Sequence, residues 1–141
     1  MGRNRYLRQK PLTAAEQAYF LRLNFPGFSI LTARNHLECV GSLQPTLISD
    51  AYTVKIVYKV PVRPQVQVLK PGLRLAPGKT RLPHVFEGNK LCLHDVGDWR
   101  PDRRISEFVV PWTSLWLAFY EFWVLTGEWL GDGREPGVVK K

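Results

Sequence analysis

The chain has 141 residues, of which 45% are hydrophobic and 23% charged. That length suits one domain able to bury a core without disulfides or metals, and the composition excludes global disorder. Lys and Arg number 20 against 12 Asp and Glu, a net charge of +8, and two cysteines are too few for a disulfide scaffold. Free thiols and a basic, polar N-terminus with no apolar run behind it predict a cytoplasmic protein without a secretory signal.

Thr13-Ala-Ala-Glu16 has the pattern of a capping box, in which hydroxyl and carboxylate each satisfy a free backbone N–H. It predicts a helix over residues 14–24, ended by Pro26-Gly27, with Ala15, Ala18, Tyr19 and Leu23 on one face. Short strands are predicted at 28–32 and 37–43. The clearest strand is 52–60, where Tyr52, Val54, Ile56, Tyr58 and Val60 alternate with Thr53, Lys55, Val57 and Lys59. A further strand covers 65–69. Residues 70–90 are rich in Pro and Gly and read as loop, with Leu91-Cys92-Leu93 at its end.

Pro111 suits the first turn of a last helix, and Gly127 suits its end. Between them the chain is apolar on nearly every side, and 7 of its 17 aromatics fall within 112–130. Such a helix is buried, faces a partner or spans a membrane. Glu121, Glu128, Pro111 and Gly127 speak against a membrane span, so a buried or partner-facing helix is expected. A helix, a run of four strands, an irregular loop with a cysteine and a final helix together predict an α+β fold with an antiparallel meander.

The charge is uneven. Residues 51–86 carry seven bases and no acid, whereas 87–135 carry five bases and nine acids. A basic middle beside an acidic segment predicts a face for an anionic or protein partner, or simply a solvated strand face. Aromatics do not interleave with the bases except at Tyr52 and Tyr58, which share a core-facing strand side, so nucleic-acid binding is the weaker reading.

Cys92 follows an irregular Pro- and Gly-rich loop, the setting of an accessible nucleophile, although a free cysteine is also a common small core residue. Cys39 sits in a strand-like run and reads as core. His36 and Cys39, Cys92 and His94, and His84 offer zinc-ligand types, but positions 36 and 39 of one strand face opposite sides and the knuckle spacing is missing. No metal or cofactor is expected.

Leu82-Pro83-His84, Leu91-Cys92-Leu93 and Asp98-Trp99-Arg100-Pro101 resemble three blocks of ubiquitin-conjugating enzymes: His-Pro-Asn, Ile-Cys-Leu and Trp-Ser-Pro. In that pattern the Asn precedes the catalytic cysteine by eight residues, and His84 precedes Cys92 by eight here. Tyr58-Lys-Val-Pro-Val-Arg-Pro64 is similar to the family's Tyr-Pro-Phe-x-x-Pro-Pro. The C-terminal half, with Pro-Trp-Thr-Ser at 111–114 and Thr-Gly-Glu-Trp at 126–129, is similar instead to the bacterial ubiquitin-conjugating-like proteins of cyclic-oligonucleotide (CBASS) antiphage defence.

The resemblance implies a UBC-like fold: an N-terminal helix, a four-stranded meander, a cysteine-bearing active-site loop and a C-terminal apolar helix. It implies a basic N-terminal segment at 1–12, one domain at 13–131 and a tail at 132–141. The activity it implies is thioester transfer. Cys92 would accept a protein C-terminus, that of a cGAS/DncV-like nucleotidyltransferase, and pass it to a lysine of an acceptor protein. His84 would donate to the oxyanion, act as base or scaffold the loop. His94, Asp98 and Asp102 are possible assisting groups, with Asp95 also near in sequence, and Pro83, Trp99 and Pro101 would support the loop. The alternatives are a catalytically silent adaptor of the same fold and a basic nucleic-acid-binding module.

Overall fold

The computed structural model describes residues 10–93 and 98–131. Helix α1 (Ala14–Asn24) opens on the capping box: Thr13 Oγ1 accepts the Glu16 amide at 3.0 Å, and the Glu16 carboxylate accepts the Thr13 amide at 2.9 Å. Its buried face is not the expected one. Ala14, Gln17, Ala18 and Leu21 turn inward, while Ala15, Tyr19 and Leu23 are exposed. Gln17 is the reason. Its side-chain N–H donates to the Arg103 carbonyl at 2.8 Å, and its Oε1 accepts the Ile105 amide at 2.9 Å. A buried amide with both ends satisfied holds an inward position that a hydropathy pattern assigns to solvent.

Strands β1 (Ser29–Ala33), β2 (His36–Leu43), β3 (Tyr52–Lys59) and β4 (Gln65–Lys70) form an antiparallel meander in the order β1-β2-β3-β4. The β2/β3 register sets Leu37 opposite Tyr58, Cys39 opposite Ile56 and Leu43 opposite Tyr52, all on the buried face. The alternation expected for β3 is therefore the alternation observed, because one sheet face is covered and the other is wet. Gly41 of β2 is needed sterically. A Cβ there would lie 2.0 Å from the Phe28 ring, which stacks on Phe25 and covers the strand.

Residues 71–84 have no helix or strand. The Arg74 amide donates to Tyr120 Oη at 2.7 Å, which ties this segment to the last helix. Residues 85–90, expected as loop, form a small hairpin together with Leu91. Strand β5 (Val85–Phe86) pairs with β6 (Lys90–Leu91) across a 3-10 turn at Glu87–Asn89. Two-residue strands are too short to leave a period in the sequence.

Helix α2 (Val109–Thr126) carries Pro111 in its first turn and ends at Gly127, whose φ of 79° is left-handed and whose N–H donates to the Trp123 carbonyl at 2.7 Å. One face, with Val109, Thr113, Trp116, Leu117, Tyr120 and Trp123, is buried; Leu115, Phe122 and Leu125 are exposed. The Glu121 carboxylate accepts hydrogen bonds from Ser49 Oγ and Tyr52 Oη, both at 2.7 Å. Among the described residues no helix is long and apolar enough to cross a membrane. Residues of α1, the sheet and α2 join in one hydrophobic cluster. The arrangement is α+β and UBC-like.

Candidate active site

Cys92 directly follows β6. Its amide donates to the His84 carbonyl at 2.9 Å, one step beyond the Val85–Leu91 pair of the hairpin. The same carbonyl accepts the Trp116 indole N–H at 3.0 Å. His84 has a φ of 49°, a strained value for a residue with a Cβ. Two donors on its carbonyl and a ring stack hold it there. The stack is with Trp129, at 4.9 Å between centroids and 23° between planes. Trp129 in turn lies against Trp116 and Phe119. Behind it, a Cβ on Gly131 would come within 2.7 Å of the Phe119 ring, so only glycine lets the chain return this closely over α2.

These side chains and Cys92 enclose a pocket of about 40 Å³, which Leu93, Trp112 and Leu115 also line. Cys92 is half-buried, whereas Cys39 is buried in β2. Burial pushes the Cys39 thiol up to about 12, so it stays protonated at any physiological pH. The two cysteines are thus unlike in position and in chemistry.

The remaining candidates separate. Trp99 is buried and meets Tyr58 edge to face at 5.6 Å. The Pro101 carbonyl accepts the Leu12 amide at 2.9 Å, and Pro83 is half-buried next to His84. The side chain of Asp98 is exposed, and its backbone carbonyl accepts the Arg103 guanidinium. Asp102 pairs with Arg100 at 3.1 Å, which holds its carboxyl below the usual carboxylate range. An ion-paired carboxylate is a weak proton acceptor. His94 and Asp95 lie outside the described residues. His36 binds Glu38 at 3.3 Å on the sheet face opposite Cys39, so those two cannot share a metal ion. Among the described residues no three His, Cys, Asp or Glu side chains gather around a metal position.

Trp112, Trp116, Phe119 and Trp129 belong to the aromatic stretch expected to be buried or to face a partner. Trp116 is buried as expected, yet all four line the Cys92 pocket. The available signal was polar: an indole N–H placed inside a helix needs an acceptor, and here the acceptor is the loop that carries the cysteine.

Residues 17–136 match the family described as Type II CBASS E2 protein, a span that includes most of α1, the sheet, the Cys92 hairpin and α2. No curated protein matches the chain. The family match covers far more than half of the sequence and agrees with the UBC-like architecture, and the chain belongs to the Type II CBASS E2 family, E2-like proteins of bacterial antiphage defence.

Proposed function

We propose that residues 13–131 act as an acyl carrier in which Cys92 accepts the C-terminus of a nucleotidyltransferase as a thioester and passes it to a lysine amine. The thiolate of Cys92 attacks the activated carbonyl and expels its leaving group. The lysine nitrogen then attacks the thioester carbonyl. A C–N bond forms, the C–S bond breaks, and the proton lost by the amine balances the thiolate released. Covalent catalysis divides one hard transfer into two easier ones.

The observation that carries this reading is the contrast between the thiols. Cys92 stands at a pocket on a loop pinned by its own amide to His84, while Cys39 is sealed in the sheet. We assign His84 first a positioning role, since its carbonyl holds both Cys92 and Trp116. A ring N–H aimed at the oxyanion is the further role that the family pattern implies. The ion pair with Arg100, which lowers the Asp102 carboxyl, weighs against Asp102 as the base.

The test is incubation with the operon's other proteins, followed by non-reducing gels. A thiol-labile adduct is expected. Cys92→Ser converts it to a more stable ester and Cys92→Ala abolishes it. An adduct that persists unchanged in Cys92→Ala refutes the assignment.

A further inference from the structure

Leu93 lines two cavities. One is the small aromatic pocket that contains Cys92; the other is a groove of about 360 Å³. The groove is walled by the β3–β4 connection, through Val62 and Arg63, and by the β5–β6 hairpin, through Phe86, Lys90 and Leu91. The Arg63 guanidinium lies 5.0 Å over the Phe86 ring, which fixes a cation at the wall. Among the described residues neither Arg63 nor Lys90 makes an ion pair, and the groove's one carboxylate is Glu87. The mechanism above uses none of these groups.

The two cavities suit different substrates. The small pocket touches the nucleophile and is lined by aromatic rings and two leucines, which suits a small residue covalently attached to Cys92. The groove is roomier and cationic, and it reaches the nucleophile only through Leu93. That geometry fits a segment whose reacting atom stands off on a long side chain, as the amine of lysine does on its four-carbon stem. A peptide docked beside Arg63 and Lys90 needs a carboxylate of its own to offset them.

We propose that this groove binds the acceptor: an extended peptide segment bearing the reacting lysine and a neighbouring acidic side chain that pairs with Arg63 and Lys90. The assignment rests on Cys92 as the acyl carrier.

The experiment loads Cys92 by exchange with a synthetic glycyl peptide thioester, which releases a small thiol. Discharge is then timed with three peptides of equal length, whose single lysine is flanked by glutamates, glutamines or arginines. The glutamate peptide is expected to discharge the thioester about tenfold faster than the glutamine peptide, the scale of two solvent-flanked ion pairs, and the arginine peptide slowest. Arg63→Glu with Lys90→Glu inverts the order, each rate being normalised to the amount of Cys92 thioester formed. The milder Arg63→Gln with Lys90→Gln levels it. Arg34→Glu with Lys79→Glu, exposed elsewhere and equal in net charge change, keeps the wild-type order. Equal rates for the three peptides, or an order that survives reversal of Arg63 and Lys90, overturns the proposal. If Cys92 does not load, the acyl-carrier reading fails. The groove is then read separately by fluorescence anisotropy of the labelled glutamate peptide on the Cys92→Ser chain. Binding about tenfold weaker on reversing Arg63 and Lys90 retains an acidic-peptide site; unchanged binding removes it.

Discussion

Alkylation of the native protein separates the two thiols by a margin that the structure sets. The thiolate is the reacting species, so the rate follows its fraction and its exposure. An ordinary thiol at 9.0 is about 10% ionised at pH 8, whereas Cys39, pushed up to about 12, is ionised to about 0.01%. Ionisation alone thus slows Cys39 by about a thousandfold relative to an unperturbed thiol. Its 1% exposure slows it again, because a reagent reaches it only when the sheet opens. Iodoacetamide at pH 8, read by mass spectrometry of the two cysteine peptides, should label Cys92 and leave Cys39 unmodified until urea is added. Labelling of Cys39 in the native protein within a hundredfold of Cys92 would refute the argument, as would a Cys92 that stays unmodified natively.

Three further outcomes are expected. Gln17→Leu leaves the Arg103 carbonyl and the Ile105 amide without their partner, at about 1–3 kcal/mol each, so a loss of about 2–6 kcal/mol should appear in urea unfolding. A loss below about 1 kcal/mol would mean that water replaces the side chain. Trp116→Phe removes one of the two donors on the His84 carbonyl, a loss of about 1 kcal/mol for the bond. The native alkylation rate of Cys92 should change with it while that of Cys39 does not; an unchanged Cys92 rate contradicts the pinning of the loop. Alkaline pH should destabilise the fold. Burial raises the Cys39 thiol and the Tyr52 and Tyr58 phenols, with the Glu121 carboxylate adding to the effect at Tyr52. Above pH 9 the unfolded chain therefore holds fewer protons than the folded one, and stability falls as pH rises. Cys39 alone accounts for about 4 kcal/mol between pH 9 and 12, and Cys39→Val should flatten that part of the curve. Urea midpoints that do not change from pH 8 to pH 11 would contradict it.

What could be read in the sequence was local. The Thr13–Glu16 capping box, the alternation of β3 and the Gly127 stop each depend on residues within a few positions, and all three recur in the structure. The burial of Cys39 follows from the same two-residue period. The eight-residue step from His84 to Cys92 was legible as spacing, and the structure gives it a physical form, a carbonyl accepting the Cys92 amide. Tertiary structure decided the rest. Gln17 turns inward because backbone groups at 103 and 105 lie against it, far along the chain. Trp116 and Trp129 join the Cys92 pocket because α2 and the return after Gly127 fold over the hairpin. Asp102 is drawn into an ion pair, and the β3–β4 connection and the β5–β6 hairpin, separate in sequence, meet as a groove. Propensity and periodicity act between neighbours, whereas an acceptor for a buried N–H, or a partner for a charge, is set by whichever segment the packed core brings alongside.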